Sequence, residues 1–387
     1  MIELIMKNHV LLLPNLRLPQ ARKSTRTSQQ LLADKVKQMK LKSFSQLGEC
    51  LSQFIPAKFL QPTDSGALSR RRFFCKENTF WAFFLQVLDA DGGCKEVVRK
   101  FQATVAMKSK PLPSSSTSAY CRARNKLDES CLESVLKHVS GLLQSSHDAD
   151  QLNGRRVIVV DGTGVSMPDT EDNQQAWPKQ NFQKPGLGFP QASICACFNL
   201  RNGALLSYEL GNKKSHELPM LRKQWGTFEV GDIFLGDKGF CSYFDQHHLK
   251  ERGVDSVITL ARRKPIAEAQ AIKALGKDDL LIQWPKPKKN KASSYTVEDW
   301  EKLPEHLPLR QIKVTVNQVG FRVRSFHIIT TLLDPAIYPA SEIAELYFQR
   351  WDVELFFRDI KTTMGMDILR CKTPAMVRKE ILMHLIV

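Results

Sequence analysis

The sequence predicts an α/β fold: a mixed sheet flanked by helices, with a helical region ahead of it. Three observations predict it. Short apolar runs rich in β-branched residues (RVIVVDG at 156–162, GDIFLGD at 231–237 and VDSVITLA at 254–261) have the length and character of buried strands. Stretches with helical periodicity lie between them, such as HELPMLRKQW at 216–225. Before them, from residue 31 to about 143, the apolar spacing is helical, as in LADKVKQMKLKSFSQLGECL and FWAFFLQVL.

Composition bounds the function. Apolar residues make up 42% and charged residues 25% of the 387, which excludes a mainly disordered chain and suggests two or three domains. The longest apolar stretches, such as residues 80–88 with a Gln inside, fall short of the roughly 18 residues that span a bilayer. Glu3, Lys7, Asn8 and His9 interrupt the N-terminal run, so no signal peptide is read. The nine cysteines are odd in number and scattered, which suits a reducing cytoplasm better than a disulfide framework. Lys and Arg number 56 against 40 Asp and Glu, a net charge of +16. Nucleic acid is the first partner such a charge suggests and an anionic membrane surface the second; no lipidation motif or uninterrupted basic amphipathic helix supports the membrane.

Residues 1–40 carry eight Lys/Arg against two Asp/Glu and read as a basic flexible arm. Residues 41–150 read as a helical N-terminal region, either a DNA-binding module or a packing domain with a solvated basic face. Within it, KSKPLPSSSTS at 108–118 is loop-like, and AYCRARNKL opens a short basic helix. The period turns extended at Arg155. SICACFNL and ALLSYEL flank Arg201-Asn202-Gly203, a strong hairpin signal. Ser215 is expected to cap the next helix, and a further helix is expected at 243–251. Residues 151–261 thus form the first part of a core. Residues 262–326 break its rhythm: between 262 and 324 stand 14 Lys/Arg and seven Asp/Glu, with the turn-rich WPKPKKNKASS, and the end (IKVTVNQVGFRVRSF) is β-like. This reads as a β-rich insertion. The core resumes over 327–387 with HIITTLL and a long helix at about 340–363, preceded by Pro339.

Asp161 and Asp237 each end a buried apolar strand, 237 − 161 = 76 residues apart. Burying an ionised Asp is costly unless it is paired or bound to metal, and ligand sites of open sheets form at strand carboxyl ends. Two turn aspartates are the plain alternative. On the long helix, Tyr347, Arg350, Glu354 and Lys361 fall at about 0°, 300°, 340° and 320° for a step of roughly 100° per residue, one narrow stripe, while Leu355, Phe356 and Ile360 point elsewhere. The stripe is either a solvated face with ion pairs, or a third metal ligand flanked by phosphate-holding cations.

Tyr-x2-Arg-x3-Glu-x6-Lys, following two strand-end aspartates, resembles the signature of DDE transposases of bacterial insertion sequences, in their hairpin-forming, insertion-sequence-four type branch. The blocks VIVVDGTGVSMPDT, QKPGLGFP, GDKGFCSY, TLLDPAIYP and ELYFQRWDVELFFRDIKTTMGMD resemble the family's in the family's order, and the likeness covers about residues 40–387. It implies an RNase H-like mixed-sheet catalytic core, a β-rich insertion before the Glu, and Asp161, Asp237 and Glu354 as catalytic, metal-binding residues. It implies two Mg²⁺ ions, with Mn²⁺ substituting, and DNA contacts from Tyr347, Arg350, Lys361 and Lys238, the last standing where many relatives have Arg. It implies double-stranded DNA partners, namely the terminal inverted repeats of an element and a target, a homodimer when two ends are paired, a cytoplasmic location and no membrane. Two ions about 3.5–4 Å apart supply an activated water and a stabilised leaving oxygen, and then let a 3′-hydroxyl attack the target. The alternatives are a truncated, non-transposing DNA-binding derivative acting as inhibitor, and an RNase H-like nuclease without strand transfer.

Other signals carry less. GDIFLGDK has Asp237 where a P-loop needs Lys. Cys195 and Cys197 lack a second pair, so core packing is favoured over zinc. His247-His248 lacks partner ligands, and His216-Glu217 is followed by Leu-Pro-Met, which does not fit a zinc protease. Trp284 or Trp300 of the insertion stacks on an extruded base or packs in the core. The last helix, AMVRKEILMHLIV after Thr373-Pro374, runs uncapped and apolar into Val387. Helices that relatives add beyond this point would cover its apolar end, so the expectation is a fragment or a truncated copy.

Overall fold

Ten consecutive residues, Thr79 to Leu88, are buried in the helix Lys76–Leu88. A helix apolar on all sides needs neighbours on all sides. In the computed structural model, which describes residues 44–62, 65–69, 72–89, 92–107, 112–145, 152–178, 188–212, 216–260, 270–288, 295–316 and 324–387, these neighbours are helical. α1 (Phe44–Leu51) precedes this helix, which is α2, and α3 (Cys94–Met107), α4 (Ser118–Lys126) and α5 (Glu129–Ser145) follow. α2 packs against α1, α3 and α4. Its polar intrusion, Gln86, is matched: Tyr120 Oη donates to Gln86 Oε1 at 2.6 Å and Arg124 Nη1 at 2.7 Å. The basic arm lies outside the described residues, as do parts of the QKPGLGFP block and of the Lys-rich turn after Pro287.

By its contacts the chain forms two units. One gathers residues 147–163 and 193–355, the other residues 21–146, 164–192 and 356–387. The first unit is built on the sheet. Val157 to Val160, four β-branched residues in a row, are fully buried at the start of β1 (Val157–Ser166), as in a strand covered on both faces. The short helix α6 (Glu171–Ala176) follows it, then β2 (Gln191–Asn199) and β3 (Leu205–Asn212). The predicted hairpin connection joins β2 to β3, with Gly203 at φ 70°, the left-handed region that glycine enters freely. The predicted cap differs. α7 (Glu217–Lys223) has His216 at its N-cap with no side-chain bond, and Ser215 lies outside the described residues. β4 (Ile233–Gly236), α8 (Tyr243–Glu251) and β5 (Asp255–Thr259) come next, with Ser242 capping α8 through Asp245 N.

β6 (Gln270–Gly276), β7 (Asp279–Pro285), α9 (Val297–Glu301), β8 (His306–Val316) and β9 (Arg324–Thr330) complete this part. The nine strands form one sheet in the order β3-β2-β1-β4-β5-β9-β8-β7-β6. β1, β4 and β5 are parallel, and β5 through β6 pair antiparallel. The strands of residues 262–326 therefore extend the sheet. Their anchor is Arg310, fully buried, whose Nε donates to Asp279 Oδ1 at 2.8 Å and whose Nη1 donates to the carbonyl of Tyr338 at 2.6 Å.

The long helix expected at 340–363 is interrupted. α10 (Ala340–Gln349) ends at Arg350, α11 (Trp351–Arg358) restarts at once, and residues Asp359–Thr363 form a π-helical turn. A π turn closes i→i+5 bonds and widens the helix, so the uniform 100° step does not carry to Lys361. α12 (Pro374–Ile386) packs on α5, α2 and α6 within the second unit. Leu382 and Met383 are fully buried and Ile386 nearly so. Glu380 on α12 accepts from the backbone N–H of Arg370 and Cys371.

Candidate active site

β1 and β4 run in parallel with Val159 level with Leu235. The pairing stops there: Asp161 follows two residues later inside β1, which runs on to Ser166 instead of ending at the acid as the apolar run suggested, and Asp237 comes directly after β4. Asp161 Oδ1 accepts from Gly162 N–H at 2.8 Å. Asp237 Oδ1 accepts from Gly239 N–H at 2.7 Å, which caps the short 3₁₀ turn Lys238–Phe240. The two acids of the sequence prediction thus both lie just past the point where β1 and β4 stop pairing.

Arg350 links them to the third. Its side chain is buried; Nη2 donates to Glu354 Oε1 at 3.1 Å and Nη1 lies 3.9 Å from Asp161 Oδ2. The guanidinium lies 5.7 Å from the centre of the Tyr347 ring. The Tyr347 hydroxyl shares a hydrogen bond of 2.9 Å with Thr259 Oγ1, at the end of β5. Tyr347, Arg350 and Glu354 therefore gather on one side of the interrupted helix, as their spacing predicted. Lys238 is exposed beside Asp237. Lys361 lies on the π turn, in the second unit.

The sequence reading missed Glu217. A Cβ placed on Gly162 would stand 1.9 Å from Glu217 Oε1, and one on Gly239 would stand 3.3 Å from Oε2. The carboxylate at the start of α7 therefore lies against the backbone next to Asp161 and close to Asp237. No spacing rule links it to Asp161 or Asp237, because it arrives from a different helix.

The electrostatics are those of crowded anions. Burial pushes the Asp161 carboxyl up to about 6; the Gly162 N–H and Arg350 oppose this, and the charges of Asp237 and Glu217 add to it. Glu217 is raised by burial and then by Asp237. Burial raises the Tyr347 phenol, against Arg350 and Thr259. Among the described residues Arg350 is the one guanidinium that pairs with any of these four carboxylates, and it reaches two of them, Asp161 and Glu354, so the site carries excess negative charge. Its donors are all hard oxygens, the set that suits Mg²⁺ or Mn²⁺ rather than zinc. Among the described residues no three acidic, His or Cys side chains converge on one ion. Mg²⁺ is commonly held by one or two carboxylates, its other positions going to water and phosphate, so these donors fit it.

The remaining motifs take structural places. Cys195 and Cys197 are fully buried in the sheet's core. Trp284 packs edge-on against Tyr243 at 5.3 Å, and Trp300 stacks on Tyr295 at 5.6 Å. His248 stacks on Trp225 at 3.7 Å. No helix among the described residues is long and apolar enough to cross a membrane.

Comparison with known proteins agrees with this geometry. Residues 152–387 match the transposase DDE domain. The transposase InsG for insertion sequence element IS4, from Escherichia coli (strain K12), is 24% identical over 337 residues, covering 87% of this chain and 73% of InsG. With Asp161 in β1, Asp237 directly after the parallel β4 and a Tyr-Arg-Glu helix beside Asp161, the chain belongs to the DDE transposases of the IS4 type, enzymes that cleave DNA and transfer its strands.

Proposed function

We propose that this transposase cleaves DNA at the terminal inverted repeats of its element and joins the 3′ ends to target DNA, with Asp161, Asp237 and Glu354 holding two divalent ions. The placement of Asp161 and Asp237 just past the β1–β4 pairing, with Asp161 tied to Glu354 through Arg350, is the observation that carries the reading. Parallel central strands with acids in β1 and directly after β4 support an RNase H-like core, with residues 262–326 as a β-rich insertion and the helical N-terminal region as a DNA-binding module. Mg²⁺, or Mn²⁺ in its place, supplies activation of the attacking water or 3′-hydroxyl and neutralises the leaving oxygen.

The chain's own groups do the positioning. Arg350 fixes the Asp161 and Glu354 carboxylates against each other. Tyr347, anchored to Thr259, fixes the guanidinium plane from beside it. Lys238 and Lys361 offer cations to the DNA backbone, where each charge-assisted contact to phosphate is stronger than a neutral one. Pairing two ends calls for two copies of the chain, and a cytoplasmic location accords with access to DNA in a bacterial cell.

Asp161→Ala, Asp237→Ala and Glu354→Ala are each expected to abolish Mg²⁺-dependent cleavage of end-containing duplexes. End binding should stay within a few-fold of wild type, because backbone affinity rests on cations. A variant that cuts at the wild-type rate removes its residue from the set.

A further inference from the structure

We propose that Glu217 is a fourth carboxylate of the metal-holding set, reaching the ions from the first turn of α7. This rests on the reading of the acidic site given above and extends it to a residue outside the Asp-Asp-Glu signature.

The placement carries the argument. Glu217 Oε1 lies where a side chain on Gly162, next to Asp161, would begin, and Oε2 lies beside Gly239, two residues past Asp237. One carboxylate thus spans the backbone beside both acids, with an oxygen toward each. Only the lack of a Cβ at Gly162 leaves it room, since 1.9 Å is far inside van der Waals contact. Among the described residues Glu217 has no hydrogen bond and no cation partner, although basic residues outnumber acidic ones by 16.

A first-turn glutamate with no other role is favoured by the helix dipole when it points into solvent. Turning instead toward Asp161 and Asp237 places like charges together, which is unfavourable unless a cation joins them. Two ions shared among phosphate, water and protein leave positions for a further monodentate oxygen, as Mg²⁺ sites commonly do. The backbone clearance at Gly162 and Gly239 and the half-buried carboxylate then have one common explanation.

The test uses the full chain, with Mn²⁺ titrated by calorimetry in the absence of DNA, and cleavage of a duplex end measured against Mg²⁺ concentration. Glu217→Gln should weaken Mn²⁺ binding tenfold or more and raise the Mg²⁺ concentration for half-maximal cleavage by a similar factor, with end affinity unchanged. Glu217→Asp, which keeps the charge one methylene shorter, should fall between Gln and wild type. Gly162→Ala leaves Glu217 in the chain but displaces its carboxylate, and should shift Mn²⁺ binding in the same direction. Asp161→Asn is the reference. If Asp161→Asn loses Mn²⁺ while Glu217→Gln and Gly162→Ala bind it as wild type does, the proposal is overturned and the three-acid site stands. If Asp161→Asn also binds as wild type does, the acidic-site reading itself fails.

Discussion

Arg350 is the residue on which the site's geometry turns. Its two terminal nitrogens serve two carboxylates from different parts of the chain, Asp161 on β1 and Glu354 on α11. A guanidinium does this with a rigid planar fork, whereas an ammonium is a single point charge on a flexible stem. Arg350→Lys keeps the charge and loses the bridge. It should lower end cleavage tenfold or more while end affinity changes less than threefold, checked by single-turnover cleavage beside a binding titration. Equal losses in both would mean that Arg350 acts on DNA and not on the carboxylates. At this scale the site was partly legible. Asp161 and Asp237 drew attention as acids after buried apolar runs, although turn aspartates were an equally open reading and β1 in fact continues past Asp161 to Ser166. Arg350 and Glu354 showed themselves by their spacing of four. Glu217 did not, since its neighbours in sequence carry no sign of where α7 points it.

Elements were legible where local chemistry decides them and less so where tertiary contacts do. The central strands and the 201–203 turn follow from β-branched runs and an Asn-Gly pair, and α8 lies where the sequence placed a helix. The break at Arg350 and the π turn at Asp359–Thr363 do not; the sequence there has no Pro or Gly to announce them. β7 and β8 hold a further buried pair, Arg310 with Asp279. Asp279→Ala leaves that guanidinium uncompensated in the core, a loss expected to cost about 3–5 kcal/mol, to be read as a lowered urea midpoint. A change under 1 kcal/mol would mean that carbonyls alone satisfy Arg310. On α12, His384 is buried with Nδ1 lacking a partner among the described residues. Burial, helped by Arg370, lowers its pKa to about 3. Between that value and the ordinary 6.5 or so the unfolded chain holds a proton that the fold refuses, so stability is full above pH 6.5 and falls as the pH drops through this window. From pH 7 to pH 5 the loss from this group is about 2 kcal/mol. His384→Leu should remove that share of the acid limb in urea unfolding; an unchanged difference between pH 7 and pH 5 would show that His384 is not the group responsible.

At the scale of the whole molecule the net charge of +16 is the dominant fact, and it belongs to sequence more than to fold. The acidic site is locally negative, so the positive excess lies elsewhere. Eight cations against two anions stand in residues 1–40 alone. Duplex DNA holds condensed counterions, and each phosphate that a Lys or Arg neutralises releases them, so log affinity falls with log salt at a slope of about 0.9 per contact. An enzyme that grips an element end through six to ten phosphates should lose roughly 10³–10⁵ in affinity between 50 and 200 mM salt. Removing residues 1–40 should make that slope shallower by up to several contacts, because the cations lost there act through the backbone and not through base edges. The same deletion should leave the preference for an end over unrelated duplex nearly unchanged at fixed salt if the arm contributes charge alone. Binding of end and non-end duplexes across a salt series, by intact and shortened chains, measures both quantities. A flat salt response in the intact chain would show that its charge does not serve DNA contact, and a lost end preference in the shortened one would show that the arm reads sequence as well.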